Sequence, residues 1–468
     1  MKKRGFLLGF IVATTMSVSG CGSGATEHTV VDDFTPIIDN DGADPWVLQT
    51  DDFYYYTKTT GNNLTLWRSK QLTDVAVGEE KVIWEMPAGL ENIWAPELHY
   101  IEGQWIVYFA ANKPSETHRM YALVNNQADP YSEEWVLEEI AGMDDKFAID
   151  GTVLTLGETN YFIWSGWAGY ENVAQDIYIA EMTSPTSVRG EKQLLSAPEY
   201  DWEMKQTPLI NEAPQVIIKE QTVNLVYSAS GSWDNDYALG LLTMALEDDP
   251  LVKDNWTKET EPIFQQTDTV FGPGHNGFAK SKDGSEDWLI YHAARWNHSG
   301  WQRSIRLQAF DWENDGKIII DQPLDEWETQ TLPTGEAKRL RLAAVDAEKK
   351  GDLTMVDDET ALSKQAVSGF ESTNDQLIFK AQIDKAGAYT VIAYVKAPDY
   401  LSLSAPIQFN ISNMDSVHTT QMHPSQYYQP VQVRLSLAEG VEEIILASEI
   451  GIDTVQVDRL EIIQLDEE

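Results

Sequence analysis

The 468 residues carry 33 Lys and Arg against 75 Asp and Glu, a formal net charge of −42 at pH 7. A surface of that sign repels nucleic acid and anionic lipid headgroups and disfavours an acidic polysaccharide, whereas a neutral sugar meets no such barrier. The length accommodates about two or three domains, and a single cysteine leaves no internal disulfide to form.

The chain opens on Lys2-Lys3-Arg4, an apolar run from Phe6 to Val18, and Ser19-Gly20-Cys21. A charged start, a short apolar stretch and small residues are the parts of a signal peptide, here over residues 1–20. The run is short for a membrane-spanning helix. Val18-Ser19-Gly20-Cys21 also resembles a bacterial lipobox, which makes Cys21 the candidate lipidation site. The expectation is an exported lipoprotein of a bacterial envelope, at the cell surface or in the periplasm, that meets the membrane through its lipid anchor. An ordinary signal peptide with an incidental cysteine is the alternative. Residues 21–33 read as a tether.

From 34 to 325 the chain is a succession of short β-type runs broken by Gly, Asn and Asp turns, with no long helical period. Five segments repeat one pattern: Ala43-Asp44-Pro45-Trp46-Val47, Ala95-Pro96-Glu97-Leu98-His99, Ile149-Asp150-Gly151-Thr152-Val153, Glu212-Ala213-Pro214-Gln215-Val216 and Gly274-His275-Asn276-Gly277-Phe278. Each leads through an apolar run and a polar turn to an aromatic-rich run, as in Phe53-Tyr54-Tyr55-Tyr56 or Trp288-Leu289-Ile290-Tyr291. With Asp44, Glu97, Asp150, Glu212 and His275 as markers, subtraction gives spacings of 53, 53, 62 and 63. Repeats of that length predict blades of about four strands around a channel, with the markers meeting near its axis. Strand starts that merely favour Asp, Glu, Gly or Pro are the alternative.

At these motifs the sequence resembles glycoside hydrolase family 43. Asp39-Asn40-Asp41-Gly42-Ala43-Asp44-Pro45 looks like the family's first-blade motif, whose Asp is the general base. Phe147-Ala148-Ile149-Asp150-Gly151 looks like the motif whose Asp orients the acid and raises its pKa. Asn211-Glu212-Ala213-Pro214 looks like the motif of the general acid, and Gly272-Pro273-Gly274-His275-Asn276 like the last-blade motif, whose His lies near an axial metal or water site. The resemblance implies a five-bladed β-propeller, an inverting mechanism, and Asp44, Asp150 and Glu212 as the catalytic set. The chemistry agrees: inverting cleavage needs an acid for the leaving oxygen and a carboxylate for the water, roughly 6.5–9.5 Å apart. A carboxylate at Asp150 would also help keep Glu212 protonated.

Aromatic rings suit sugar faces, so Trp94, Trp164 and Trp167 are candidate pocket floors, with blade packing as the other reading. Of Arg303 and Arg306, one is expected to reach sugar hydroxyls or an active-site acid, Arg303 being the candidate, and the other to lie at the surface. His275 is a candidate ligand for a structural calcium near the axis; the chemistry itself requires no cofactor. Gly272 to Gly277 fits GxGxxG, but it contains Pro and precedes a strand, which excludes a dinucleotide site.

Polar residues 326–338, with Pro333, Thr334 and Gly335, read as a linker, so the first region is expected to fold and act alone. Over 339–468 the runs Ala386-Gly387-Ala388-Tyr389-Thr390-Val391 and Ile452-Asp453-Thr454-Val455-Gln456-Val457-Asp458 predict a β-sandwich. This half resembles the jelly-roll carbohydrate-binding modules of family 6, although Ala343-Ala344-Val345-Asp346-Ala347 lacks the Glu-Ala-Glu run often found near their start. It binds sugar or only stabilises. The fold class expected is thus all-β, a five-bladed propeller followed by a sandwich. The context of Trp164-Ser165-Gly166-Trp167 and Asn211-Glu212-Ala213-Pro214 looks closest to the α-L-arabinofuranosidase branches of the family, and that resemblance implies an exo-glycosidase removing terminal α-L-arabinofuranosyl units from plant or algal polysaccharide. A β-xylosidase, an endo-arabinanase and a non-catalytic surface glycan-binding lipoprotein are the alternatives.

Overall fold

The structure, a computed structural model, describes residues 26–398, 406–448 and 452–465. The expected signal peptide and Cys21 lie outside them. Among the described residues helix is confined to short 3-10 turns such as Leu72–Val77, Lys253–Asn255 and Ala344–Asp346; the rest of the regular structure is β.

Each sequence repeat folds into its own antiparallel sheet. The first contains Trp46–Gln49, Tyr54–Thr57, Asn63–Ser69 and Glu79–Glu85; the second Glu91–Ile101, Gln104–Asn112, Arg119–Asn125 and Val136–Glu139. The third contains Ala148–Leu156, Thr159–Gly166, Ala174–Ser184 and Ser187–Ser196, and the fourth Leu209–Lys219, Thr222–Ala229, Ala238–Ala245 and Thr257–Lys258. These two touch through a short parallel pairing of Ala174 and Gln175 with Leu209 and Ile210. The fifth contains Phe271–Lys280, Asp287–Ala294 and Arg303–Trp312, with Ile318–Ile319 at one end.

The first strands of consecutive sheets pack side by side, and that of the fifth packs against that of the first. Sheets stacked in this ring cover one another on both faces, so their second strands are buried almost throughout, as at Gln104–Asn112 and Asp287–Ala294. Burial on both faces is why those runs are continuously apolar and aromatic rather than alternating. The seam is made by Ile37–Asp39, which pairs with the last sheet through Asp39 opposite Ile305 and Ile37 opposite Arg306.

The second half forms a five-stranded sheet and six strands of a seven-stranded one, the seventh being His28–Val31. One apolar cluster draws on both, with Val391, Val433 and Leu460 from the larger and Phe379, Phe409 and Leu446 from the smaller. All 16 tryptophans of the chain precede residue 328.

Two expected connectors prove to be packed. Of the supposed tether, His28–Val31 pairs with Arg339–Ala343 of the second half, and Asp33–Phe34 pairs with Gln330–Thr331. Of the supposed linker, Glu326 is buried, accepting from Arg306 at 2.5 Å and from Gln429 Nε2 at 2.7 Å. Glu336 accepts from the Thr73 N–H at 3.1 Å and from its hydroxyl at 2.5 Å, and burial pushes its pKa up to about 7. The polarity of these segments serves buried contacts between the halves rather than solvent. Arg306, expected at the surface, is fully buried for the same reason.

Candidate active site

Each first strand carries, at or near its N-terminal end, a non-glycine residue in the left-handed region: Asp44 (φ 56°), Ala95 (45°), Asp150 (55°), Ala213 (50°) and His275 (49°). In the second to fifth sheets the pairing slips at this place. Left-handed backbone at a side-chain-bearing residue costs on the order of 1–3 kcal/mol, and a bulge turns side chains out of the regular alternation. These five positions are the true equivalents around the ring. Glu97 and Glu212 are therefore not equivalent to Asp44 and Asp150: Ala95 and Ala213 hold those places, with Glu97 two residues after and Glu212 one before.

The displaced alternation brings the three proposed acids into one electrostatic neighbourhood. Asp150 Oδ2 accepts the backbone N–H of Ala213 at 2.9 Å, fixing the residue that follows Glu212. Tyr237 donates its hydroxyl to Glu212 Oε1 at 2.9 Å. Gly274 makes that reach possible, because a Cβ there would lie 2.2 Å from the Tyr237 ring. Burial first, and then the Asp44 charge, push the Glu212 pKa up to about 7 against the opposing effects of Tyr237 and Arg303. Burial, then the Glu212 and Asp44 charges, push Asp150 well above the carboxylate range. The two titrate as a pair, one that holds a proton near neutrality.

Asp44 sits in the opposite environment, ringed by donors. Thr59 donates to its Oδ2 at 2.6 Å and itself accepts the Ala95 N–H at 2.8 Å, linking the first two sheets. Oδ1 faces His275 Nδ1 at 3.2 Å and Arg303 at 3.6 Å. The Asp44 N–H donates to His292 Nδ1 at 3.1 Å, so that ring nitrogen carries no hydrogen and His292 is neutral, in keeping with burial holding its pKa well down.

The remaining expected residues divide. Arg303 does meet an active-site acid, and its other terminal nitrogen donates to Ser232 O at 2.6 Å. Trp94 is 38% exposed and stacked on His118 with ring centroids 3.6 Å apart, leaving one face open. Trp164 is no pocket floor: it is buried between Phe162 and Tyr178 in the packing of its own sheet. Trp167 likewise is buried, stacked on Phe147 at 4.6 Å. Glu97 accepts from Gln215 across the ring and meets His99 at 2.9 Å, a structural brace.

His275 spends Nδ1 on Asp44, and burial lowers its pKa. Among the described residues no group of three or more His, Cys, Asp or Glu side chains is gathered around a metal position. The donors at His275 do not fit directly bound calcium, which takes about six to eight oxygens.

Sequence reasoning missed Thr59, Tyr237 and His292. In an antiparallel sheet the loop joining the second and third strands returns to the end where the first strand begins. Thr59, His118 and Tyr237 lie on such loops, and Arg303 opens the strand after another. Position within each repeat is the signal that would have found them.

The family model of glycosyl hydrolases family 43 matches residues 34–318. The chain is 34% identical over 300 residues to the extracellular exo-alpha-(1->5)-L-arabinofuranosidase of Streptomyces avermitilis, 60% of this chain and 62% of that protein; it thus spans less than two thirds of that relative. Among solved structures it resembles the alpha-L-arabinofuranosidase from Lactobacillus brevis, at 33% identity and a TM-score of 0.59 over 63% of this chain and 98% of that one. An exo-beta-1,3-galactanase from Phanerochaete chrysosporium shares the fold alone, at 11% identity and a TM-score of 0.52, over 92% of this chain and 100% of that one. A family match over more than half the chain, joined to a site of paired buried carboxyls facing a carboxylate ringed by donors, makes the conclusion plain: the chain belongs to glycosyl hydrolases family 43.

Proposed function

We propose that the chain is an exo-acting α-L-arabinofuranosidase that removes terminal arabinofuranosyl units from arabinan or arabinoxylan-type polysaccharide with inversion. The observation that carries the reading is the contrast between Glu212, buried and with its pKa raised to about 7, and Asp44, whose carboxyl oxygens face the donors Thr59, His275 and Arg303. Asp44 takes a proton from water as the water oxygen bonds to the anomeric carbon. The glycosidic carbon–oxygen bond breaks, and the leaving oxygen takes the proton of Glu212. Asp150 positions Glu212 by accepting the N–H of the next residue, Ala213. Arabinose as the sugar is supported by the names of the Streptomyces and Lactobacillus relatives.

The proposed scaffold is a five-bladed propeller over 34–325 and a jelly-roll sandwich over 339–468. The sandwich stabilises rather than binds sugar, a reading supported by its lack of tryptophan and its strands shared with the N-terminal segment. Export with a lipid anchor at Cys21 is part of the proposal, supported by the lipobox-like run and by a relative named extracellular.

The test is a panel of methyl and aryl α-L-arabinofuranosides, β-xylosides and linear arabinan, followed by proton NMR early in turnover. Release of arabinose with inverted configuration is expected. A retained anomer overturns the assignment of Asp44 as base, and cleavage of xylosides alone overturns the sugar.

A further inference from the structure

The exposed large aromatics among the described residues are Trp94, Tyr100, Tyr170 and Trp301. Three of these four lie at the end of the ring where the acids converge: Trp94 beside the left-handed Ala95, and Tyr170 and Trp301 on loops joining second and third strands. Trp301 is 69% exposed and meets the half-buried Trp233 edge-on, with centroids 6.1 Å apart and planes at 71°.

The pair is held firmly. Asn235 Nδ2 donates to Asn297 Oδ1 at 2.6 Å, and the His298 N–H donates to Asn235 Oδ1 at 3.0 Å, tying the two loops together. The same loops reach the reacting groups. Arg303 bridges Ser232 O, next to Trp233, and Asp44; Tyr237, four residues beyond Trp233, donates to Glu212. The loops that carry the aromatic pair are therefore the same ones that contact Glu212 and Asp44.

We propose that Trp233 and Trp301 form a stacking platform for the sugar on the leaving-group side of the scissile bond, so that this enzyme acts on a chain of neutral sugars rather than on a lone glycoside. The occupant is a neutral pentose unit: the indole faces offer apolar contact to ring C–H groups, and the net charge of −42 disfavours an anionic one. This rests on the glycosidase reading above.

The test compares kcat/KM for linear arabinotriose with that for methyl α-L-arabinofuranoside in the same preparation, so that any unfolded fraction cancels. In Trp301→Ala the trisaccharide-to-methyl ratio falls about tenfold, and Trp301→Phe recovers part of it. An unchanged ratio in Trp301→Ala overturns the platform. Binding without turnover gives a second measure: arabinotriose quenches tryptophan fluorescence in Glu212→Gln with a Kd that rises about tenfold when Trp301→Ala is added. Equal Kd values, or no saturable binding, also overturn it. A parent enzyme that cleaves xylosides and not arabinosides sinks the sugar assignment instead, and the same ratio taken with xylotriose then decides the platform.

Discussion

Tyr237 donates its phenolic hydrogen to Glu212 from the loop that follows the second strand of the same sheet, 2.9 Å from oxygen to oxygen. The bond favours the carboxylate form, so it works against the burial that raises Glu212 to about 7. As the proposed general acid Glu212 acts in its protonated form, so activity is expected to fall as pH rises through that pKa. In Tyr237→Phe the pKa rises further, so the basic limb of kcat/KM moves to higher pH while kcat drops about tenfold from lost orientation. A basic limb that stays put or moves down contradicts this.

Asp44→Asn and Glu212→Gln are each expected to lower kcat by at least about 100-fold. Circular dichroism and melting must show folded protein. Near-normal turnover in either variant removes it from the proposed acid–base pair.

Asp150→Asn separates activity from stability. The amide oxygen can still accept the Ala213 N–H, but the variant buries no titratable carboxyl there. A carboxyl whose pKa is raised in the folded state loses stability as pH rises above its unfolded pKa. The variant is therefore expected to lose activity while its Tm gains on the parent, by about 2–4 °C between pH 5 and pH 8. A Tm difference that does not grow with pH argues against a strained, proton-retaining pair.

Removing the second half is expected to unfold the first. Residues 28–31 would lose their partner strand, and Asp74, fully buried, would lose the 3.2 Å hydroxyl bond from Thr390. Asp41, three residues before Asp44, would lose His423 at 3.2 Å. A segment spanning 26–330 should melt more than about 10 °C below the whole chain or fail to melt cooperatively. A cooperative melt near the parent temperature, with parental cleavage of an aryl arabinofuranoside, would restore the autonomous domain expected from sequence.

Cys21→Ser should move the protein from a salt-washed membrane fraction into a soluble exported or precursor pool. Unchanged membrane association shows that the anchor is not this cysteine.

The repeats were legible because each strand start carries a polar residue before a doubly buried run, and this pattern survives in sequence. Register was not. Glu97 and Glu212 looked like counterparts of Asp44 because acids draw the eye, whereas the equivalent residues are the alanines whose backbone turns left-handed. Trp164 and Trp167 were misjudged because a tryptophan in a buried strand and one at a sugar site look alike until the stacking partner is known. The polar stretch after 325 read as exposed because nothing in one sequence tells a solvated Glu326 from one facing Arg306.

The three short strands at the start of the chain each wait for a partner from far downstream: 37–39 for 303–312, 33–34 for 330–331, and 28–31 for 339–343. A polypeptide threaded out N-terminus first must hold those edges open until roughly three hundred residues have followed, the kind of long-range pairing that makes folding slow and late. Asp44 lies just beyond the last of them. Folding and assembly of the site are thereby put in sequence: the ring, and with it the seat of Asp44, closes only once residues 303–312 have followed.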